Sequence, residues 1–201
     1  MRKALIVGID YYHQIKTLHG CKNDAYAVKA VLARHGDGSI NFGVELMIAS
    51  QPETAINRKM LKQKINALFA DDCSVALFYF AGHGFIENTG GYLLTSECES
   101  GCDGFPLNEL LFIVNNSPAR NKIIVLDCCH AGIAGELPVF ENRQSLLSEG
   151  VTFLTASRQT QNAVSQDGHG IFTTLFVDAL NGSAANLRGD ITPGSIYAHI
   201  D

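Results

Sequence analysis

The residues of this sequence that can do chemistry gather at the ends of two apolar runs. Asn121 to Gly132 reads NKIIVLDCCHAG. Its Ile123-Ile124-Val125-Leu126 core suits a strand buried on both faces. The run then breaks into Asp127, Cys128, Cys129 and His130. A second run, Val75 to Phe80, passes into Ala81-Gly82-His83-Gly84. A thiol is a strong nucleophile only as thiolate, so it needs a base or an imidazolium beside it. His83, set between two glycines, has an uncrowded ring and a backbone free to turn sharply. The amides of Gly84 and Cys129 could together hold a tetrahedral oxyanion. A buried Cys alone is usually a small hydrophobe, and a lone His is usually a hydrogen-bonded core residue. Two strands ending this way form a Cys/His pair. His130 is a poor base for its neighbour, because adjacent side chains at a strand end diverge; a structural or loop-ordering role suits it better.

Other thiol chemistries fail on the residues. A tyrosine-phosphatase loop needs an Arg about six positions after its Cys, where Ala134 and Gly135 stand. Gly8-Ile9-Asp10 supplies neither a dinucleotide fingerprint nor a P-loop. Cys98 and Cys102 have a C-x3-C spacing but no second Cys or His pair nearby, so zinc is not expected and they read as two thiols on a surface loop.

The elements that must carry these residues alternate. Lys3 to Asp10 reads as a strand, Lys22 to His35 as a helix stopped by Gly36, and Val44 to Ala49 as a strand. Glu53 to Ala70 reads as one longer amphipathic helix after Pro52. The His83 strand follows, then a hairpin segment at Gly90 to Leu94 and a short helix opened by Pro106. After the Cys129 strand, Ile133 to Gly150 reads as a loop and Val151 to Ala156 as another buried strand. His169 to Leu180 is a helix ended by Asn181-Gly182, and Pro193 begins the last helix. This alternation predicts an α/β fold with a largely parallel central sheet and helices on both faces, an α/β/α sandwich. The topology places sites at the C-terminal edge of the strands.

The 201 residues suit a single domain, 46% hydrophobic and 17% charged, with a formal net charge of −5. No run approaches the ~18 apolar residues of a membrane span. The first apolar run meets Asp10 without a cleavage site, so it reads as a strand and not a signal peptide. The acidic balance and the lack of a basic cluster point away from nucleic acid. Without an export signal the six cysteines are expected to be reduced, and a cytoplasmic protein is expected.

With Tyr79-Phe80-Ala81-Gly82-His83-Gly84 and Asp127-Cys128-Cys129-His130-Ala131-Gly132 in view, the chain resembles the caspase-like cysteine peptidases of clan CD. The likeness is to the metacaspases and the prokaryotic caspase-like proteases in particular. Cys129 stands at the nucleophile of their D-x-C-H-x-G pattern, with Cys128 at a variable position. His83 and Cys129 are 46 residues apart, near the ~50 typical of caspases. Gly20-Cys21-Lys22-Asn23-Asp24 and Ala156-Ser157-Arg158 through Gly170-Ile171-Phe172-Thr173 add matches, so the likeness covers nearly the whole chain.

The resemblance implies a caspase-haemoglobinase fold over residues 1–201 as one peptidase domain, either lacking its last C-terminal strand or continuing beyond it. It implies a cysteine endopeptidase with His83 and Cys129 as catalytic dyad and Gly84 and Cys129 as oxyanion donors. It also implies an S1 pocket built from Cys21, Asp24, Ala81 and Asp127. Two carboxylates in a partly dry pocket repel unless a cation joins them, which suits Arg at P1 over Lys. The plainer role for Asp24 is a cap on the helix that follows it. Ala81 stands where metacaspases often carry serine, which implies looser selectivity. Arg143, in the long loop, is the expected site of self-cleavage. No cofactor and no metal are expected, since Glu87, Glu97, Glu99 and Asp103 are scattered and not clustered as a calcium site needs. The expected partners are protein or peptide substrates and a regulatory sensor or inhibitor protein, the chain itself being a monomer. The implied setting is regulated proteolysis in bacterial defence or cell-death-like signalling. Two other readings stand beside this one, a catalytically silent adaptor and a redox switch through vicinal Cys128 and Cys129. Selective alkylation of Cys129 that is lost in His83→Ala separates the enzyme from both.

Overall fold

A computed structural model describes residues 1–88, 90–128, 148–156 and 170–200. Five parallel strands form its centre: β1 (Arg2–Ile9), β2 (Gly43–Ala49), β3 (Val75–Gly82), β7 (Asn121–Cys128) and β8 (Val151–Thr155). Their order is β2-β1-β3-β7-β8. A smaller antiparallel sheet, β4 (Gly84–Glu87), β5 (Gly90–Leu93) and β6 (Phe105–Pro106), leaves directly from the end of β3. It gives the hairpin segment at Gly90 its partners.

The central strands show why their sequences read as continuous apolar runs. Successive side chains alternate between two separate cores. Leu5, Val7 and Ile9 of β1, Phe78 and Phe80 of β3, and Ile124 and Leu126 of β7 pack on one side. There they meet α2 (Arg58–Phe69) and α3 (Leu107–Asn115) through Leu61, Ile65, Leu110 and Val114. Ala4, Ile6, Leu77, Tyr79 and Val125 face the other way. They meet α1 (Cys21–Ala33), α4 (Ile171–Asp178) and α5 (Pro193–Ile200) through Val28, Leu32, Phe172, Phe176 and Ile196. Both faces are covered, as an all-parallel sheet requires.

Two expectations need correction. The span Glu53 to Ala70 is not one helix: a 3₁₀ turn covers Pro52–Thr54, and α2 begins only at Arg58. Asn57 restarts it, its side chain accepting from the Met60 amide at 2.8 Å, because a short amide side chain satisfies an orphan N–H better from a cap than from inside a helix. Cys98 is not a surface thiol. It is fully buried, and its Sγ accepts from the Thr95 amide at 3.2 Å, while Cys102 is exposed. Among the described residues no helix is long and apolar enough to cross a membrane.

Candidate active site

Register brings the singled-out residues together. In the β3–β7 pair, Ala81 lies opposite Asp127 and Gly82 opposite Cys128. His83 is therefore the first residue past β3, at the level where β7 ends. Cys129 follows Cys128 in the chain but lies outside the described residues, as does Arg143.

His83 is held from several sides. Its amide donates to the Tyr12 hydroxyl at 2.8 Å, and its carbonyl accepts from the Leu94 amide at 2.9 Å. The Tyr12 ring leans on the imidazole, with centroids 4.8 Å apart. Nε2 lies 2.7 Å from the Lys16 carbonyl oxygen. A carbonyl can only accept, so Nε2–H donates there, and a lone pair on the ring can sit only on Nδ1. Tyr12 and Lys16 both belong to the segment between β1 and α1, which is tied down by Asp10. The Asp10 carboxylate accepts from the Cys21 amide at 3.0 Å and the Lys22 amide at 3.3 Å, capping α1 from outside. Gly84 opens β4, paired with Leu93.

A second cluster lies on the α1/α4 side of the same strand ends. Gly8 allows it: a Cβ at that position would sit 2.5 Å from the Cys21 carbonyl oxygen and 2.9 Å from the Ala25 Cβ. Only glycine lets the first turn of α1 lie directly on β1. That contact brings Cys21 and Asp24 towards Asp127. Asp24 is buried, and both its carboxylate oxygens accept from the Gly170 amide at 3.1 Å. The Thr173 hydroxyl donates to Asp127 Oδ2 at 2.5 Å. A point one Cβ bond from the Gly170 backbone lies 2.9 Å from Asp127 Oδ2 and 3.2 Å from Asp24 Oδ2, so the two carboxylates converge. Ala81, also buried, sits beside them as the register partner of Asp127.

Two converging acids disfavour each other's charge. Burial first, and then the charge of Asp24, push the Asp127 carboxyl up to about 6, against the hydrogen bonding of Thr173. The N-terminus of α4 offsets part of this, because its first amides carry partial positive charge. Gly170, its N-cap residue, serves Asp24, while Thr173 serves Asp127 through hydroxyl and amide. The plainer role for Asp24 thus changes partner: its carboxylate meets the start of α4, while Asp10 caps its own helix. Cys21 is no rival nucleophile. Burial and the carboxylates of Asp10, Asp24 and Asp127 hold its thiol far above the usual thiol range.

Cys21, Asp24, Ala81 and Asp127 are thus brought into one cluster, and His83 stands at the neighbouring strand end. Sequence reasoning missed Tyr12, the Lys16 carbonyl, and the roles of Thr173 and Gly170. The motif Gly170-Ile171-Phe172-Thr173 was the available signal for the last two; a backbone carbonyl gives none. A cavity of about 870 Å³ opens at the opposite ends of the strands, lined by Arg2, Val75, Asn121 and Ile191 among others. Its lining includes no thiol, and it lies away from this cluster.

Comparison with known proteins places the chain in a family. A caspase-domain profile matches residues 1–198. Metacaspase-1B of Aspergillus niger is 25% identical over 218 aligned positions, which take in 96% of this chain and 49% of that protein. Metacaspase-9 of Arabidopsis thaliana is 25% identical over 144 positions, covering 65% of this chain and 43% of its own. The chain spans about half the length of such relatives. Among solved structures, the Drosophila initiator caspase Dronc superposes with a TM-score of 0.57 at 14% identity, over 98% of this chain and 72% of that one, which shows the shared fold. By a match that runs over residues 1–198, the chain belongs to the caspase-domain family.

Proposed function

We propose that this domain cleaves peptide bonds after Arg and, less efficiently, after Lys, using Cys129 and His83. The observation that carries the specificity is the convergence of Asp24 and Asp127 next to Ala81, two residues before His83. A guanidinium between those carboxylates joins two charges that otherwise repel, and its planar fork can bond both. An ammonium joins them as a point charge. An Asp side chain at P1 would add a third negative charge.

In the reaction, His83 Nδ1 takes the Cys129 proton while Nε2–H stays on the Lys16 carbonyl. The thiolate attacks the scissile carbonyl, and the Gly84 and Cys129 amides receive the oxyanion. The imidazolium then gives its proton to the leaving amine as the C–N bond breaks. Water, deprotonated by the same nitrogen, hydrolyses the thioester and returns the thiol. A regulated protease of this kind, in bacterial defence or cell-death-like signalling, would meet a sensor or inhibitor protein in the cytoplasm. Self-cleavage would fall at Arg143.

A peptide-library cleavage profile of the purified protein, with Cys129→Ala as control, tests this reading. The expected products end in Arg, then Lys, and none in Asp. Asp127→Ala should lower kcat/KM by at least ~100-fold, the equivalent of ~3 kcal/mol for one broken buried ion pair. Efficient hydrolysis after Asp, or indifference to Asp127→Ala, would overturn it. A cut between Ile133 and Gly150 on incubation of active protein, absent in Cys129→Ala, is the expected sign of self-processing.

A further inference from the structure

We infer that Thr173, backed by the buried phenol of Tyr79, is a positioning residue that sets the preference for Arg over Lys by fixing the plane of the Asp127 carboxylate. The inference rests on the basic-P1 reading above and deepens it.

Both residues are sealed from solvent: Tyr79 is 0% exposed and Thr173 1%. The Thr173 hydroxyl has one proton, and at 2.5 Å from Asp127 Oδ2 that proton is committed to the carboxylate. The Tyr79 hydroxyl, also 2.5 Å from Thr173 Oγ1, must then donate to Thr173. This gives an ordered chain of bonds, Tyr79 to Thr173 to Asp127, each donor polarising the next. Burial and the nearby charges of Asp127 and Asp24 hold the Tyr79 phenol well above its usual range, so it keeps its proton. The Thr173 amide adds a second donor to the same carboxylate. Packing keeps Thr173 in place. Phe176, one turn on, stacks on the Tyr79 ring at 6.3 Å and 19°, and Phe172 stacks on Phe176. A rigid helix face thus aims the hydroxyl.

The consequence concerns shape more than charge. Two donors from one residue, the hydroxyl on Oδ2 and the amide on the same carboxylate, restrain its rotation about its last bond. Oδ1 lies outside this chain of bonds. A fixed carboxylate plane favours a guanidinium, whose donors lie in a rigid plane of their own. It does little for an ammonium, whose three donors rotate freely. Freeing the carboxylate should therefore cost Arg substrates more than Lys substrates.

The test compares kcat/KM on a matched pair of peptides differing only in Arg or Lys at P1. Thr173→Val, which keeps the branched shape and removes the hydroxyl, should lower the Arg/Lys ratio by about tenfold, mainly through KM. Thr173→Ser should restore most of the ratio, and Tyr79→Phe should lower it less than Thr173→Val. In an Asp127→Asn background Thr173→Val should change the ratio no further, since the two act through one carboxylate. Thermal melting of each variant reports folding, and Thr173→Ser and Tyr79→Phe keep the test decisive if Thr173→Val unfolds. Equal losses on both peptides, or an additive loss in the Asp127→Asn background, would mean that Thr173 only supports the fold, and would overturn the inference. Wild-type protein that cleaves neither peptide would sink the basic-P1 reading first and this one with it.

Discussion

At the residue scale, the candidate site combines side chains that announce themselves with groups that cannot. His83 and Asp127 stood out in the sequence because charge at the end of an apolar run is costly unless used. The Lys16 carbonyl was not legible, since every residue has one. Tyr12 was hidden for another reason: a buried tyrosine reads as core, and 2% exposure agrees with that. Yet its hydroxyl accepts the His83 amide and its ring supports the imidazole. Tyr12→Phe should keep the ring contact and leave the His83 amide without that acceptor, costing about 1–3 kcal/mol of stability. Activity should fall with it, by less than in His83→Ala, as a kcat measurement beside a melting curve would show. An unchanged melting temperature would remove the claim. The nucleophile is tested separately. Cys128 is buried, on the core side that contains Tyr12, so Cys128→Ala should retain most turnover while Cys129→Ala abolishes it. The reverse result would move the nucleophile by one residue.

At the scale of elements, the strands were legible because both cores demand apolar side chains at every position, leaving runs such as IIVL. The break within Glu53 to Ala70 was not, because Ile56, Met60 and Ile65 keep helical spacing through a segment that the caps interrupt. What the sequence hid most completely is that α4 closes the acidic cluster: Gly170 and Thr173 lie 146 and 46 residues from the carboxylates they serve. This contact has a measurable pH dependence. Among the described residues, the groups facing Asp127 are Asp24 and Cys21 on α1, Tyr79 on β3 and Thr173 on α4. With its carboxyl raised from 3.8 to about 6, the folded protein binds more protons than the unfolded chain within that window. Asp127 therefore destabilises the fold above pH ~6, and stability is regained as pH falls towards ~4. After discount for its half-buried position the effect should be no more than about 2 kcal/mol. The melting temperature should rise between pH 7 and pH 5 relative to Asp127→Asn, while kcat/KM on an Arg peptide falls over the same range. Parallel melting curves for the two proteins would contradict this.

At the scale of the whole molecule, a fully parallel five-stranded sheet, covered on both faces, gathers its chemistry at one edge. Loops leaving that edge are where a regulator could act, and calcium is the one to argue. The carboxylates of the segment after His83 already have work. Glu87 accepts from the Tyr92 hydroxyl at 3.1 Å within the small sheet. Glu97 accepts from the Arg58 amide at 2.9 Å, at the start of α2. Glu99 accepts from the Gln14 side chain at 3.1 Å, and Asp103 takes the amides of Glu99 and Ser100 at 2.7 and 3.2 Å. These hydrogen bonds tie the segment to its surroundings; burial, the largest single influence on Asp103, pushes its carboxyl up, but the Glu99 and Ser100 amides together with Cys98 outweigh it and hold the group below its ordinary range. Among the described residues no three Asp, Glu, His or Cys side chains come together as a metal site. A hard cation needs six or more oxygens around one point. Gathering them here would break several caps at about 1 kcal/mol each. Peptide hydrolysis should therefore be the same in excess chelator and in millimolar calcium, measured on Arg-P1 substrate with Cys129→Ala as blank. A several-fold rise with calcium would show that these carboxylates leave their present partners, and that the segment after His83 rearranges on activation.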